Sequence, residues 1–347
     1  MWGVRAVPLI LGAAIHRIAH SKAGETNSIN TMPKRNRKLQ KNVVRRYSGN
    51  PIISLTDIPF RCSDVHNAGA VKFGGQYILL VTVESLQGDC ALYRAVSDDG
   101  KRFTVEREPI LAPAEEGPYA KYEHDGVRDA RVTLLEGTYY VTYLAQSRYG
   151  FRVGLGRTED FRSIERMGLI SEPDTKNGVL FPRKFNGRYA RLERPREGAN
   201  MWVSYSHDLM HWGDWEPVMT RRGGYWDSDR IGASTPPMEV ECGWLVIYYG
   251  EKHTASGPLF RLGAVFLDHE DPATVVGRSN IPILSPREDY ERIGDVENLV
   301  FCCGALRGED GGTLEVYYGA ANSCICLGTV DMEDLQRMCM KRKAREG

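Results

Sequence analysis

Residues 138–164 read TYYVTYLAQSRYGFRVGLGRTEDFRSI. Two runs rich in Tyr, Val, Thr and Leu flank a hairpin turn, and the second ends in a Thr-x-Asp turn followed by an apolar plug, Phe161. The pattern recurs. QYILLVTVES at 76–85 leads to LYRAVSDDGKRF at 92–103, and RYARLERP at 188–195 leads to MWVSYSHDLMHW at 201–212. WLVIYYGEKH at 244–253 leads to RLGAVFLDHEDP at 261–272, and TLEVYYGAAN at 313–322 leads to ICLGTVDMEDL at 325–335. The leading strands begin near Tyr77, Tyr139, Tyr189, Trp244 and Leu314, so successive spacings are 62, 50, 55 and 70 residues. A sheet of about four strands cannot bury both faces alone, so such units must stack around an axis, and radial closure protects their edges. An all-β, five-bladed β-propeller is predicted. A β-sandwich explains short strands equally well but gives no reason for five like units.

The chain of 347 residues is long enough for one large domain or two ordinary ones. Forty-five basic residues balance forty-five acidic ones, which argues against a partner held by neutralising nucleic-acid phosphates. The balance is uneven along the chain. Residues 1–50 carry ten Lys and Arg against Glu25 alone, leaving nine more acids than bases in the rest. Residues 1–49 are therefore expected to form a flexible basic extension, 50–334 the propeller, and 335–347 a tail. The longest apolar run, AVPLILGAAI, ends before His16 and is short of the roughly 18 residues that a spanning helix needs, so no membrane partner is expected. Residues 1–31 admit two readings: a weak secretory or organellar targeting segment, or sequence upstream of a start at Met32.

Eight cysteines (Cys62, Cys90, Cys242, Cys302, Cys303, Cys324, Cys326 and Cys339) form no C-x-x-C pair, and most sit in apolar strand-like runs. That predicts buried free thiols, no metal, and a reducing compartment, the cytoplasm.

Propellers place function on the axis, where the first strand of each blade and its following loop converge. The polar residues expected there are Asn67, Asp129, Arg131, Lys176, Arg194, Arg230, Tyr249, His253, Asp295 and Asn322. The set is mostly basic. Glycoside hydrolysis usually takes two carboxylates, one to protonate the leaving oxygen and one to activate water or attack the sugar. Phosphate as nucleophile removes the second requirement, because an anion needs desolvation, aim and countercharge rather than deprotonation. One acid with a cationic cradle is what phosphorolysis demands.

The segments GVRDARVT, NGVLFPRKFNGRYARLERP, RRGGYWDSDRIGASTPP, TASGPLFRLGAVFLDHEDP, YERIGDVENLVF and YYGAANSCICLG carry a resemblance across nearly the whole body. They are similar to the inverting β-mannoside phosphorylases of glycoside hydrolase family 130, five-bladed propellers. Among these the chain most resembles members acting on β-1,2-linked oligomannans, and specifically the kinetoplastid mannosyltransferase/phosphorylases. The resemblance implies that Asp129 is the general acid, delivering its proton through the sugar 3-hydroxyl. It implies phosphate binding by Lys176, Arg194, Arg230 and Tyr249, and substrate binding by Asn67, Arg131, His253, Asp295 and Asn322. The implied partners are β-1,2-mannooligosaccharides, inorganic phosphate and mannose 1-phosphate, with GDP-mannose as a further donor and no cofactor.

The chain also departs from the family pattern. Arg128, Asp129, Ala130 and Arg131 stand where the family usually reads Glu-Asp-Pro-Arg, and Thr82, Tyr249 and Asn322 stand where it often has Arg, His and Asp. Arg128 either lowers the acid's pKa or faces away along its strand. An asparagine at 322 removes negative charge near the anion site, which favours a bulkier donor phosphate. GDP-mannose and mannose 1-phosphate share an α-linked anomeric phosphate, so displacement of either by a sugar hydroxyl gives the same β-mannoside. No Gly-rich phosphate loop is present, so the nucleotide rests on resemblance alone. A five-bladed hydrolase and a non-catalytic binding platform remain alternatives, and phosphate dependence separates them.

Overall fold

A computed structural model describes residues 43–340. The targeting readings of residues 1–31, most of the basic extension and the tail beyond Met340 lie outside the described residues. After a short strand β1 (Arg45–Arg46), blade I runs β2 (Asp64–Phe73), β3 (Gln76–Glu84), β4 (Cys90–Ser97) and β5 (Thr104–Leu111). Blade II runs β6 (Gly126–Leu135), β7 (Thr138–Ser147), β8 (Gly150–Thr158) and β9 (Glu165–Leu169). Blade III runs β10 (Thr175–Phe185), β11 (Arg188–Pro195), β12 (Met201–Ser206) and β13 (Trp212–Met219). Blade IV joins β14 (Arg230–Ala233) and β15 (Met238–Val240) to β16 (Gly243–Thr254), followed by β17 (Gly257–Leu267) and β18 (Val275–Arg278). Blade V has β19 (Val300–Arg307), β20 (Thr313–Ala320) and β21 (Cys324–Asp331), and its outer strand is β1.

The sheets are antiparallel throughout and close into a five-bladed propeller, as the repeat predicts. The recurrent runs beginning at Tyr77, Tyr139, Tyr189, Trp244 and Leu314 are, however, the second strands of their blades. The innermost strands β2, β6, β10, β14 and β19 precede them. Four of them, β2, β6, β10 and β19, escape pattern recognition because a β-bulge interrupts their pairing at His66/Ala68, Arg128/Arg131, Lys176/Val179 and Cys302/Gly304, which breaks strict alternation, and β14 is only four residues long.

Each blade is apolar on both faces, and five buried clusters fill the five gaps between neighbours. Ile78, Leu80, Val127 and Val141 join blades I and II, and Val153, Leu155 and Leu180 join II and III. Phe181, Phe185, Trp244 and Val246 join III and IV, Leu245, Phe266, Val300 and Val316 join IV and V, and Val65, Leu79, Tyr317 and Ile325 close V onto I. Burial of one such side chain contributes about 1.5–3 kcal/mol, so no blade is stable without its partners. The Ser/Thr-x-Asp turns fold as read: Asp99 Oδ1 accepts from the amides of Lys101 and Arg102 (2.9 Å each), and Asp208 Oδ1 from those of Met210 (2.9 Å) and His211 (2.8 Å).

A polar pin recurs in three blades. A fully buried carboxylate in the segment entering the blade accepts from a tyrosine on its second strand and an arginine on its outermost strand. Glu123 accepts from Tyr143 (2.8 Å) and Arg166 (2.8 Å), and Asp227 from Tyr248 (2.9 Å) and Arg278 (2.7 Å). Glu291 accepts from Tyr318 (3.0 Å) and Arg46 (2.7 Å). Arg46 was expected in the flexible extension. Instead β1 pairs with β21, Arg45 opposite Thr329 and Arg46 opposite Gly328, so a strand from before Asn50 closes the ring. At the other end, helix Met332–Cys339 buries Leu335 and Cys339 against blades IV and V.

Candidate active site

These four bulges lie at the same end of the hub, whereas a second irregularity of β10, between Leu180 and Lys184, lies further along that strand. A bulge turns one residue out of the ladder, and in three of them that residue adopts the left-handed conformation: Asn67 (φ 43°), Asp129 (φ 57°) and Asn177 (φ 57°). Such backbone is unfavourable for most L-residues and tolerated best by Asn and Asp. The device aims three polar side chains of neighbouring blades at one point. Asn67 Nδ2 donates to Asp129 Oδ1 at 2.8 Å, and Asn177 Oδ1 accepts from Arg194 Nε (3.2 Å) and Tyr249 Oη (3.4 Å).

One pocket of about 210 Å³ collects Asn67, Asp129, Lys176, Arg194, Arg230 and Tyr249, six of the ten residues expected at the axis. Asn177, Glu251, Phe260, Leu299 and Phe301 complete its lining. Lys176 and Arg194 face each other in the β10–β11 ladder, and the Lys176 ammonium sits 3.4 Å from the centroid of the Phe151 ring. Arg230 reaches Glu251 at 3.3 Å. Lys176, Arg194 and Arg230 also line an adjoining groove of about 420 Å³ with Phe151, Asp174 and Arg196. The cationic cradle and the acid therefore share one cavity.

The other four expected residues are placed differently. Arg131 lies buried under the pocket rather than in it: Nη1 donates to the Asp129 carbonyl (2.7 Å) and Nε to the Ser234 carbonyl across the hub (3.2 Å). His253 is exposed at the end of β16, its ring 3.4 Å from Asp229 and 3.6 Å from Glu251. Asp295, in the segment entering blade V, and Asn322, in the turn between β20 and β21, face each other outside the pocket lining, Asn322 Nδ2 donating to Asp295 Oδ2 at 3.4 Å.

Burial is the largest influence on the Asp129 carboxyl and pushes its pKa up. Arg131, His66, the Asn67 amide and Arg128 together outweigh it and hold the group below its ordinary value. Arg128 both lies along its sheet and acts on the acid. Its guanidinium donates to Gln146 along the sheet, yet its charge still favours the carboxylate. Burial also pulls the Lys176 ammonium down to about 8; Asp129 opposes this, and Arg194, Arg128 and Arg230 add to it. Tyr249 and Glu251 are both pushed up, chiefly by burial.

Several positions that frame the pocket are absent from the set expected at the axis. Thr82, where the family pattern often has Arg, accepts the Asp129 amide on its hydroxyl at 3.0 Å and so fixes the acid's backbone. His66 is buried beside the acid, and burial brings its imidazole to about 4, so it stays neutral near pH 7. Asn177 sits within the quoted segment NGVLFPRK without standing out. Glu251 follows Tyr249 in a strand whose depth in the ring the sequence does not reveal.

The geometry sets the Asp129 carboxyl, with the second carboxyl, Glu251, paired to Arg230, against three side-chain cations and a sugar-sized hollow walled by Phe260, Leu299 and Phe301. It suits displacement at a glycosidic carbon by an anion. Comparison with known proteins agrees. A family model described as beta-1,4-mannooligosaccharide phosphorylase matches residues 35–341. A β-1,2-mannobiose phosphorylase from Listeria innocua is 38% identical over 233 residues, covering 66% of this chain and 63% of that protein's length. A 1,2-β-oligomannan phosphorylase from Thermoanaerobacter is 33% identical over 305 residues, covering 84% of this chain and 99% of that one. The solved structure of the Listeria innocua enzyme with β-1,2-mannobiose superposes with a TM-score of 0.77 at 28% identity, covering 85% of this chain and 98% of that one. Fold, cavity and sequence match converge, and the chain belongs to glycoside hydrolase family 130.

Proposed function

We propose that the protein is a β-1,2-mannan mannosyltransferase/phosphorylase that moves a mannosyl group, with inversion, between β-1,2-mannooligosaccharides and an α-linked anomeric phosphate. The observation that carries this reading is the meeting of Lys176, Arg194 and Arg230 with Asp129 in one pocket. The β-1,2 linkage is supported by the names of the two relatives above, and the phosphate by the cradle.

In phosphorolysis, the terminal mannose lies against Phe301 and Leu299 with its anomeric carbon facing the cations. An oxygen of hydrogen phosphate attacks that carbon from the face opposite the leaving group, and the glycosidic bond breaks. The Asp129 proton passes through the sugar 3-hydroxyl to the leaving oxygen. The remaining P–OH of the product then returns a proton to the carboxylate, so the enzyme is regenerated and charge balances. Cations held in place before the reaction stabilise the anion without reorganising. Phosphate arriving in the cradle also offsets the charges that keep Asp129 ionised, which moves the acid toward its protonated, donating form.

GDP-mannose is the second donor in this reading. Its anomeric phosphate fits the same cradle, and the open groove lined by Phe151, Asp174 and Arg196 leaves room for the rest of the diphosphate. Asn322 bears on this donor less than its sequence position suggests, because it lies outside the pocket lining and is bonded to the Asp295 carboxylate. A reducing compartment, the cytoplasm, suits the six buried thiols.

The test is to incubate the protein with β-1,2-mannotriose with and without phosphate. Mannose 1-phosphate is expected only with phosphate, and Asp129→Asn should abolish its release while leaving the fold intact. Free mannose released without phosphate would mark a hydrolase. Absence of chain extension from GDP-mannose would reduce the activity to phosphorolysis.

A further inference from the structure

Blade III carries a second hollow that the phosphorolytic pocket does not use. About 370 Å³ in volume, it is lined by Glu172, Pro173, Thr175, Glu193, Pro195, Trp202 and Trp215. Nearly half of Trp215 is exposed (47%), and with Trp202 it gives this hollow two indoles that a ligand can reach. The indole is nevertheless held rigidly. Its Nε1 donates to Glu193 Oε1 at 2.7 Å, and Glu193 is buried and locked by the Arg191 guanidinium. Trp202 stands beside it, paired with Glu193 across the β11–β12 ladder.

The two hollows share a wall. Asp174, Arg194 and Arg196 line the active-site groove, and their chain neighbours Pro173, Thr175, Glu193 and Pro195 line the tryptophan cleft. They meet over the crest where β10 begins and β11 ends. From β11 to β13 is two strand spacings, about 10 Å, which a few sugar rings span. Indole faces offer flat apolar platforms for the C–H faces of pyranose rings, and Glu172 offers an acceptor for hydroxyls. Among the described residues no lysine or arginine lines the cleft, so they offer a second phosphate nothing to bind. Glu193 is neutralised by Arg191, so a cation would find only Glu172.

Resting on the phosphorylase reading, we infer that the Trp202–Trp215 cleft is a saccharide subsite. It holds the distal residues of an oligomannoside whose reacting end lies beside Asp129. The consequence is a preference for longer chains built into blade III. A chain that leaves one mannose at the centre stays anchored, and the next turnover begins without full dissociation.

The experiment compares KM for β-1,2-mannobiose and β-1,2-mannopentaose in the wild type, Trp215→Ala and Trp202→Ala. Loss of one aromatic anchor should raise KM for the pentaose by about tenfold and leave that for the biose within twofold. Trp215→Phe should recover most of the loss. An equal change at both lengths, or none, overturns the proposal. Tryptophan fluorescence titration of Asp129→Asn with mannopentaose reads the cleft without turnover. Saturable quenching that vanishes in Trp215→Ala supports it, and quenching by an arginine-rich peptide but not by the saccharide overturns it in favour of a cationic partner. Failure of the wild type to release mannose 1-phosphate would instead sink the phosphorylase reading, leaving the fluorescence result to be judged separately.

Discussion

Lys176→Met should do two opposite things at once. The ammonium is pulled to about 8 in the empty site against an ordinary 10.5, so its charged form is disfavoured there relative to the unfolded chain. That gap corresponds to a penalty of order 3 kcal/mol, since one pKa unit is about 1.4 kcal/mol. The folded state holds fewer protons than the unfolded one between pH 8 and 10.5, so stability rises with pH across that window. The penalty is carried in full below pH 8. In phosphate-free buffer at pH 7, Lys176→Met removes the penalty and should raise Tm by a few degrees. The same substitution removes a charged donor to phosphate, worth about 1.5–3 kcal/mol, so KM for phosphate should rise by roughly 10–150-fold. In the wild type, affinity for hydrogen phosphate, corrected for that ion's own ionisation near pH 7, should be flat below pH 8 and then fall by about tenfold per pH unit, because the complex keeps a proton that the free site has lost. Lys176→Met should lack that limb. Calorimetry with and without phosphate, together with initial rates from pH 6.5 to 9.5, reads all three effects. A Tm that drops in phosphate-free buffer, or a phosphate KM indifferent to the substitution, would refute the reasoning that this lysine is a strained, preorganised anion ligand.

Two further predictions probe the frame around the site. A methyl on Gly319 would strike the Asn67 amide oxygen and lie 3.0 Å from the Asn67 nitrogen, so Gly319→Ala should displace the partner of Asp129. We expect kcat to fall by about tenfold or more with the far-UV spectrum unchanged, and an unaltered kcat would mean that Asn67 does not position the acid. Arg46→Ala strips the guanidinium from the buried Glu291 carboxylate and loosens the strand that closes blade V. A loss of about 3 kcal/mol in chemical denaturation is expected, and a loss under 1 kcal/mol would mean that the ring does not depend on this closure.

The second strands of the blades are legible because an uninterrupted antiparallel strand imposes a period of two on its residues, and five such runs at blade-length spacing leave one economical closure. Asp129, Lys176, Arg194 and Arg230 are legible because charged residues in otherwise apolar strand ends stand out locally, and their segments match a family pattern. Arg131, by contrast, looks from the sequence like a pocket residue, but it serves as a buried brace for the acid's own carbonyl. Asn67 and Asn177 acquire their aim from left-handed bulges, a conformation that the pairing of neighbouring strands imposes and that no local run of residues encodes. Whether Glu251, His66 or Trp215 is buried or open depends on which blade stacks against it, a contact between residues far apart in the chain. The closing strand at Arg45–Arg46 is the extreme case: two basic residues in a polar context become ordered only when Gly328, Thr329 and Glu291 arrive from the opposite end. Local periodicity thus specified the blades, and local charge contrast marked most of the charged groups of the pocket, whereas ring closure specified the depth, direction and ionisation of those groups, because these depend on packing and desolvation across the hub.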